Sequence, residues 1–522
     1  MLETPHTMTT RDHAQALLTG FRACLAGGPT ASGPLDQLAT AVERVPLRLL
    51  GGVDETLRQG FPRYSEGGWP AFDAKELTRF IRAPRKWGFL AVVPPPEGWA
   101  VLAVASSHWN GHLRQAAVEG LSADGRALPF IVLRLNDWVS EVQAAARAAL
   151  DSFLRRELAA HLVSVLPLLW GLQRQRRANH AEVVDRVLSF LRSAAAQPAV
   201  RSGCHSPERE VRRGCYEIAL QSECSDRAAL LGEALADPEP AVRYWAVRQV
   251  AKAFPEPWTE PLAAKALIDR SVQVRRVALG ALAPRLPPAR ARQLIEEALL
   301  DINPTARWQA RALILQPGPF DLAAFYRSAL ETAGSPARLR GALLGLGESG
   351  TPEDPSVISG YLTAERLSVR CAALRALADL EPLATTAPFL EALGAPQSSV
   401  SREGRRALEP RLGKVSATTI GALIVDQGRE AHVRRNALSL ANRLSKWERL
   451  PLLLDGCADH DAMTSKMALR LVEGWLAAYN RSFLQPTREQ LDRAADALAR
   501  IPALTRRRVS EHIAQILETL RR

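Results

Sequence analysis

Cysteine is scarce: six residues in 522, set far apart at Cys24, Cys204, Cys215, Cys224, Cys371 and Cys457. That excludes a disulfide framework and points to a reducing compartment. Aromatic residues make up only 6% of the chain, yet 47% is apolar, enough to bury a core and too much for a disordered chain. Lysine is nearly missing, with 7 against 60 arginines. No stretch approaches the ~20 apolar residues of a membrane span; the nearest, Leu162 to Leu172, reaches about half that. The opening MLETPHTMTTRDHAQALL lacks the basic region and long apolar core of a signal peptide. The expectation is a cytoplasmic protein without membrane contact.

Motifs for common chemistries are lacking too. There is no phosphate-binding P-loop, no dinucleotide glycine fingerprint and no nucleophile elbow. The glycine-rich GALLGLGESG at Gly341 to Gly350 has no lysine where a P-loop needs one, and reads as a loop closing a repeat helix. Cys204, His205, Cys215 and Cys224 lack the short ligand hooks of structural zinc sites. His108 and His112 stand four apart, but no glutamate follows the first as a metalloprotease helix requires. Asp459, His460 and Asp461 read as a helix-capping turn. No catalytic, cofactor or metal set is expected.

What the chain does have is a repeat. A basic or polar slot recurs at Arg114, Gln143, Arg212, Arg243, Arg275, Arg307, Leu339, Arg370, Ser401, Arg434 and Ser465. Except for a 69-residue gap before Arg212, which leaves room for two units, the slots are 29 to 33 residues apart. Such regularity implies a solenoid of about twelve units. Three residues after every slot stands a small side chain: Ala117, Ala146, Cys215, Ala246, Ala278, Ala310, Ala342, Ala373, Gly404, Ala437 and Ala468. The residues at slot −1 and slot +7 share its helical face and are mostly apolar, as Val274 and Leu282 are, so this face is expected to be the seam between layers.

Six residues before a slot an aspartate often appears, as at Asp137, Asp237, Asp269 and Asp301. An aspartate there suits a helix start, and it is within reach of the slot arginine of its own or the next unit. Asp237, Arg243, Asp269, Arg275, Asp301, Arg307, Arg370 and Arg434 are read as structural positions of the repeat.

The segment DRSVQVRRVALGAL, Asp269 to Leu282, resembles the short bacterial HEAT-type repeat also known from phycobilin lyase-like proteins. The likeness covers roughly residues 97 to 480. It implies an all-α fold, a right-handed α-solenoid of about twelve HEAT-like helix pairs, and says little about activity because the matched positions build the stack. Residues 1–96 fall outside the ladder and are expected to form a helical cap or small accessory domain, with aromatics dense from Phe61 to Phe89. Residues 481–522 read as two closing helices.

The formal charge is +12, spread thinly along the sequence. Arginine pairs nevertheless sit on second helices, at Arg212-Arg213, Arg275-Arg276, Arg405-Arg406 and Arg434-Arg435. If Arg213, Arg276, Arg406 and Arg435 point into the concave groove, they form a basic track for an acidic protein face or for phosphates, with Trp109, Trp138, Trp245 and Trp308 as stacking surfaces. A non-enzymatic protein-interaction scaffold is the leading expectation. A nucleic-acid-binding or DNA-lesion-processing protein is the first alternative, since one DNA glycosylase family is built on HEAT-like repeats. A bilin lyase-like protein is the second.

Overall fold

A small residue on an apolar helix face lets a neighbouring helix approach toward the short end of the usual ~8–10 Å spacing. In the computed structural model all eleven small positions are buried, each on the second helix of a helix pair. Residues 8–27, 32–61, 98–121, 124–175, 180–222 and 226–521 are described, with backbone alone at 503–510. The expected aromatic cluster beyond Phe61, and Cys224, lie outside them.

The chain divides into two units, Met1–Ile268 and Asp269–Arg522. Among the described residues every regular element is helical. In the C-terminal unit the second helices run Val272–Leu282, Pro304–Ile314, Pro336–Ser349, Leu367–Leu380, Ser398–Leu408, Ala431–Ala441, Ala462–Ala477 and Ala503–Arg521, and each packs on the next. The partner of each from the second onward, joined by a short loop, packs on it as a helical hairpin. This is the layered stack of a HEAT-type α-solenoid, in which a unit contacts chiefly its neighbours.

The N-terminal unit repeats the pattern from Gly98–Ala105 with Gly111–Gly120 onward. The unaligned 69-residue gap holds Ala181–Arg192, whose buried face is Val183, Val184, Val187 and Leu191. With no small residue on that face, a search keyed on alanine passes over it. Ahead of the ladder, Thr10–Gly27, Ser32–Glu43 and Leu47–Gly60 form a helical cluster. Phe61 joins it to the first pair, edge-on to Phe21 at 5.6 Å and against His108 at 4.8 Å.

The arginine and aspartate positions form a ladder. Arg114 donates from Nε and Nη2 to both oxygens of Asp137 at 2.9 and 2.7 Å, Arg212 to Asp237 at 2.8 and 2.9 Å, Arg275 to Asp301 at 2.7 and 2.8 Å, and Arg434 to Asp459 at 2.6 and 3.0 Å. In each pair the carboxylate belongs to the following unit. The third arginine nitrogen turns back onto its own loop: Arg243 Nη1 donates to Asp237 O at 2.8 Å, Arg275 Nη1 to Asp269 O and Arg307 Nη1 to Asp301 O, both at 2.7 Å. Each aspartate also accepts the backbone N–H two residues on, as Asp237 does from Glu239 at 2.8 Å and Asp269 from Ser271 at 2.7 Å. One side-chain pair therefore orders two loops and the interface between two layers.

The ladder changes where the aspartate is missing. Arg307 instead pairs with Glu348 on the helix Pro336–Ser349, and Arg311 shares that carboxylate. Arg370 donates to Ala364 O of its own loop. At the Ser401 and Ser465 slots a hydroxyl donates to Leu393 O and Cys457 O, at 2.7 and 2.9 Å.

The expected loop at GALLGLGESG is instead helix through Ser349. Its glycines serve close packing: a Cβ on Gly341 would lie 1.9 Å from Leu300 O, on Gly345 2.1 Å from the Tyr326 ring, and on Gly347 2.5 Å from Ala376 Cα. Sequence reasoning took glycine for a breaker where it marks three helix contacts.

Candidate functional site

A second helix turns 100° per residue, so with the seam centred on slot +3, positions slot +1 and slot +5 point almost directly away from it. On four adjacent second helices of the C-terminal unit, from Leu367–Leu380 to Ala462–Ala477, these positions hold Cys371, Arg375, Arg402, Arg406, Arg435, Ser439, Lys466 and Arg470. Six of the eight are basic and none is acidic. In the N-terminal unit the equivalent positions on Gly111–Gly120, Ser140–Asp151, Arg209–Leu220 and Pro240–Ala253 are Gln115, Glu119, Ala144, Ala148, Arg213, Glu217, Tyr244 and Arg248. Acids and bases balance at these N-terminal positions, whereas at those of the four C-terminal helices every charge is basic.

Acids temper that face from below. Glu403, 3% exposed, accepts from Arg375 at 2.8 and 2.6 Å and from Arg406 at 3.1 Å. Burial pushes its carboxyl up, but the hydrogen bond and charge of Arg375, with Arg406 beside it, prevail and hold it below the usual carboxylate range. Arg435 pairs with Asp461 at 2.8 Å. Arg402, Lys466 and Arg470 are exposed and stand outside these pairs.

Of the four arginines expected to form the track, Arg213 is exposed in the N-terminal unit, and the other three lie in the C-terminal unit. Arg276 is half-buried and donates to Gln309 at 3.2 Å. Arg406 stands at slot +5, one helical turn on from the slot +1 position of Arg276 and Arg435, because Arg405 is not a slot residue; Arg405 pairs with Glu409 instead. Pair spotting missed Arg375, Arg402, Lys466 and Arg470, which counting from the slot finds.

The tryptophans divide. Trp308 is 65% exposed and Trp109 and Trp138 are partly open, whereas Trp245 is buried against Tyr216, with ring centroids 6.4 Å apart, and offers no stacking surface. The described cysteines are buried and free. Burial pushes the thiols of Cys24 up to about 11, and those of Cys204 and Cys457 up to about 12. Buried thiols of this kind are inert structural side chains. Among the described residues, no three His, Cys, Asp or Glu side chains cluster as metal ligands. Asp459 and Asp461 serve the ladder and the cap of Ala462–Ala477, Asp461 accepting from Thr464 N–H at 2.9 Å.

His108, 7% exposed, accepts the Asn110 N–H at Nδ1 (3.0 Å). Burial, with Arg114 adding repulsion, lowers its pKa to about 4. The unfolded chain, near ~6.5, therefore binds more protons between the two values. His108 is neutral in the fold, and its contribution makes stability fall as pH drops from about 6.5 toward 4, by up to about 1.4 kcal/mol per unit. His108→Gln is expected to flatten that limb in denaturant titrations across this range. Equal slopes in both proteins would refute the assignment.

No family model matches the chain, and no curated protein resembles it in sequence. Known structures are similar in fold. A crystal structure of importin-β covers 92% of this chain and 68% of its own, at 12% identity and a TM-score of 0.32. The condensin Cnd3-Cnd2 subcomplex of S. pombe covers 98% and 88% at 12% identity and 0.32. A homology model of the AP-3 complex covers 98% and 93% at 12% identity and 0.34. The class rests on the chain's own geometry, in which hairpin is stacked on hairpin with a small residue in each aligned seam: a HEAT-type helical-repeat protein. No helix among the described residues is long and apolar enough to cross a membrane.

Proposed function

We propose that this protein is a non-enzymatic scaffold that holds an acidic protein partner on the outward face of second helices between Leu367 and Ala477. The observation that carries the reading is the run of six basic side chains at slot +1 and slot +5 with no acid among them. Four neighbouring helices present it as a two-dimensional array, with residues about 6 Å apart along a helix and about 8–10 Å apart between helices. A nucleic acid is the competing occupant. Protein is favoured because single-strand binders interleave aromatics with their cations, and the two non-basic positions here are Cys371 and Ser439.

In this reading residues 1–96 are a helical cap or small accessory domain, 97–480 the HEAT-like repeats and 481–522 the closing helices. The period of about 31–33 residues supports a short bacterial HEAT subtype, and the buried free thiols support a cytoplasmic setting.

The test uses the full chain with two probes, fluorescent poly-L-glutamate and a random-sequence DNA duplex, titrated at ~50 and ~200 mM salt, a range over which phosphate binding weakens steeply. Arg402→Glu, Lys466→Glu and Arg470→Glu together are expected to weaken poly-L-glutamate binding at least tenfold while leaving thermal unfolding unchanged. Tighter binding to DNA, lost in the same variant, would move the assignment to nucleic acid. Poly-L-glutamate binding that ignores the substitutions would end both readings of this face.

A further inference from the structure

In a helix interior, glycine costs roughly 0.5–1 kcal/mol relative to alanine, so a helical glycine calls for a reason. For many here the reason is contact. A Cβ at Gly203 would meet Cys215 Sγ at 2.4 Å, and one at Gly214 the Trp170 ring at 1.8 Å. Four α-helical glycines differ, Gly33, Gly51, Gly171 and Gly474, and of these Gly51 and Gly171 share a groove. Both lie in helices, Leu47–Gly60 and Leu166–Leu172, and a Cβ on either would meet nothing within 4 Å. Both line the same groove of about 1360 Å³ in the N-terminal unit. What their missing side chains leave is the width of that groove.

The walls come from elements far apart in sequence: the helix Leu47–Gly60, the turn carrying Trp138, the helix Leu166–Leu172, and the loops before the helices Arg209–Leu220 and Pro240–Ala253. They are set by a buried ionic seam. Asp54 pairs with Arg134 and, at 3.3 Å, with Arg58; Arg134 also reaches Asp137 at 3.5 Å and donates to Ser106 O at 3.0 Å. Burial raises the Asp54 carboxyl, but Arg134 and Arg58 outweigh that and hold it below the usual range. Trp138 is held by two cations, with the guanidinium carbons of Arg58 and Arg114 at 4.1 and 4.3 Å from its ring centroid, and is still 52% exposed. Such a seam makes the groove a preformed feature.

Its chemistry is mixed in a specific way. Half-buried Leu133 and Leu168 provide apolar wall beside Trp138. At the loop end Glu208, Glu210 and Glu239 surround one cation, Arg209, which pairs with Glu210 at 2.6 Å. The lining as a whole carries six carboxylates against four arginines, in a chain of net charge +12.

We infer that this groove is a second docking site, which takes a linear segment of a protein partner that seats an apolar side chain against Leu133, Leu168 and Trp138 and places a lysine or arginine beside Glu208 and Glu239. The volume exceeds the ~300–1,000 Å³ of small-molecule pockets, which suits a peptide. The charge is opposite to that of the basic face, so the two sites select opposite partners and stand or fall independently.

The experiment is selection of a random peptide library on the immobilised full chain, followed by polarisation titration of the enriched peptides. Gly51→Gln and Gly171→Gln add side chains to the groove from positions where a Cβ meets nothing, and are expected to leave thermal unfolding equal or higher while cutting affinity at least tenfold. Glu208→Gln with Glu239→Gln is expected to weaken the same peptides, and enriched sequences are expected to carry Lys or Arg next to Leu, Ile, Met or an aromatic residue. Enrichment of acidic peptides only, no enrichment at all, or binding unchanged by the glutamine substitutions would overturn the assignment. Acidic peptides lost in the Arg402, Lys466 and Arg470 variant would report on the basic face instead.

Discussion

Replacing Arg434 with methionine is expected to lower the unfolding free energy by about 3–5 kcal/mol, the usual cost of leaving one partner of a buried ion pair alone. Methionine fills much of the arginine stem's volume, so the loss falls on the head group. Side-chain exposure is 1% for Arg434 and 0% for Asp459, and water cannot replace the two bonds to Asp459 or the one to Arg429 O. Asp459 keeps the Asp461 N–H at 2.8 Å, with His460 Nδ1 no nearer than 4.0 Å, too little for a buried carboxylate. Arg434→Met with Asp459→Asn retains that N–H acceptor and removes the stranded charge, so the double variant is expected to unfold at higher denaturant than the single one. A double variant no more stable than the single would mean that the loop hydrogen bonds, and not the isolated charge, set the cost. Arg275→Met is expected to cost less, because solvent reaches the Arg275–Asp301 pair.

The ladder also shows how far the sequence could be read. A spacing of 29 to 33 residues fixes which residues are equivalent, and a fixed offset of three fixes which helix face is buried, because that offset follows from helix geometry. The direction of the Arg–Asp pairing does not follow: six residues back in the same unit and about 25 residues on in the next are both within an arginine's reach. The structure uses both, giving the backbone carbonyl of the near loop and the carboxylate of the far one to different nitrogens. Glu348, standing in for a missing aspartate, could not be found by offset, since it comes from a helix and not from a loop. The same limit hid the groove. Its walls join Gly51, Trp138, Gly171 and Glu239, which share no period, and two of its defining residues are recognised by what their absent side chains would not touch. The basic face was half legible. Adjacent arginines drew attention to Arg406 and Arg435, but only register from the slot separates Arg405, turned toward Glu409, from Arg402, which is exposed.

Gly404→Ala is expected to destabilise the chain by about 3 kcal/mol, the upper end of overpacking costs, although one methyl group is added and alanine is the better helix former. Ten of the eleven small positions tolerate a side chain: nine carry alanine and one cysteine. At Gly404 a Cβ would lie 2.4 Å from Leu393 N, 2.7 Å from Phe389 O and 2.8 Å from Ala392 C, all backbone of the preceding helix Ala387–Leu393, so no rotamer change relieves it. The two helices of this pair must separate for a methyl group to fit. At Ala278 the methyl already fits, and Ala278→Leu adds three carbons to a fully buried seam, for about 1–3 kcal/mol. Gly280, two residues away, is the control: its Cβ would meet only the Gln309 side-chain amide, the end of a flexible side chain whose bonds to Arg276 oppose its moving, and with alanine's helix preference set against them Gly280→Ala is expected to fall within about 1 kcal/mol of the parent. Thermal or denaturant unfolding of the three variants ranks them, and the order Gly404, Ala278, Gly280 follows from whether backbone, packed side chain or flexible amide opposes the added carbon. A Gly404→Ala protein as stable as its parent would mean that the 398–408 helix does not lie against Ala387–Leu393 as closely as a HEAT-type hairpin here requires.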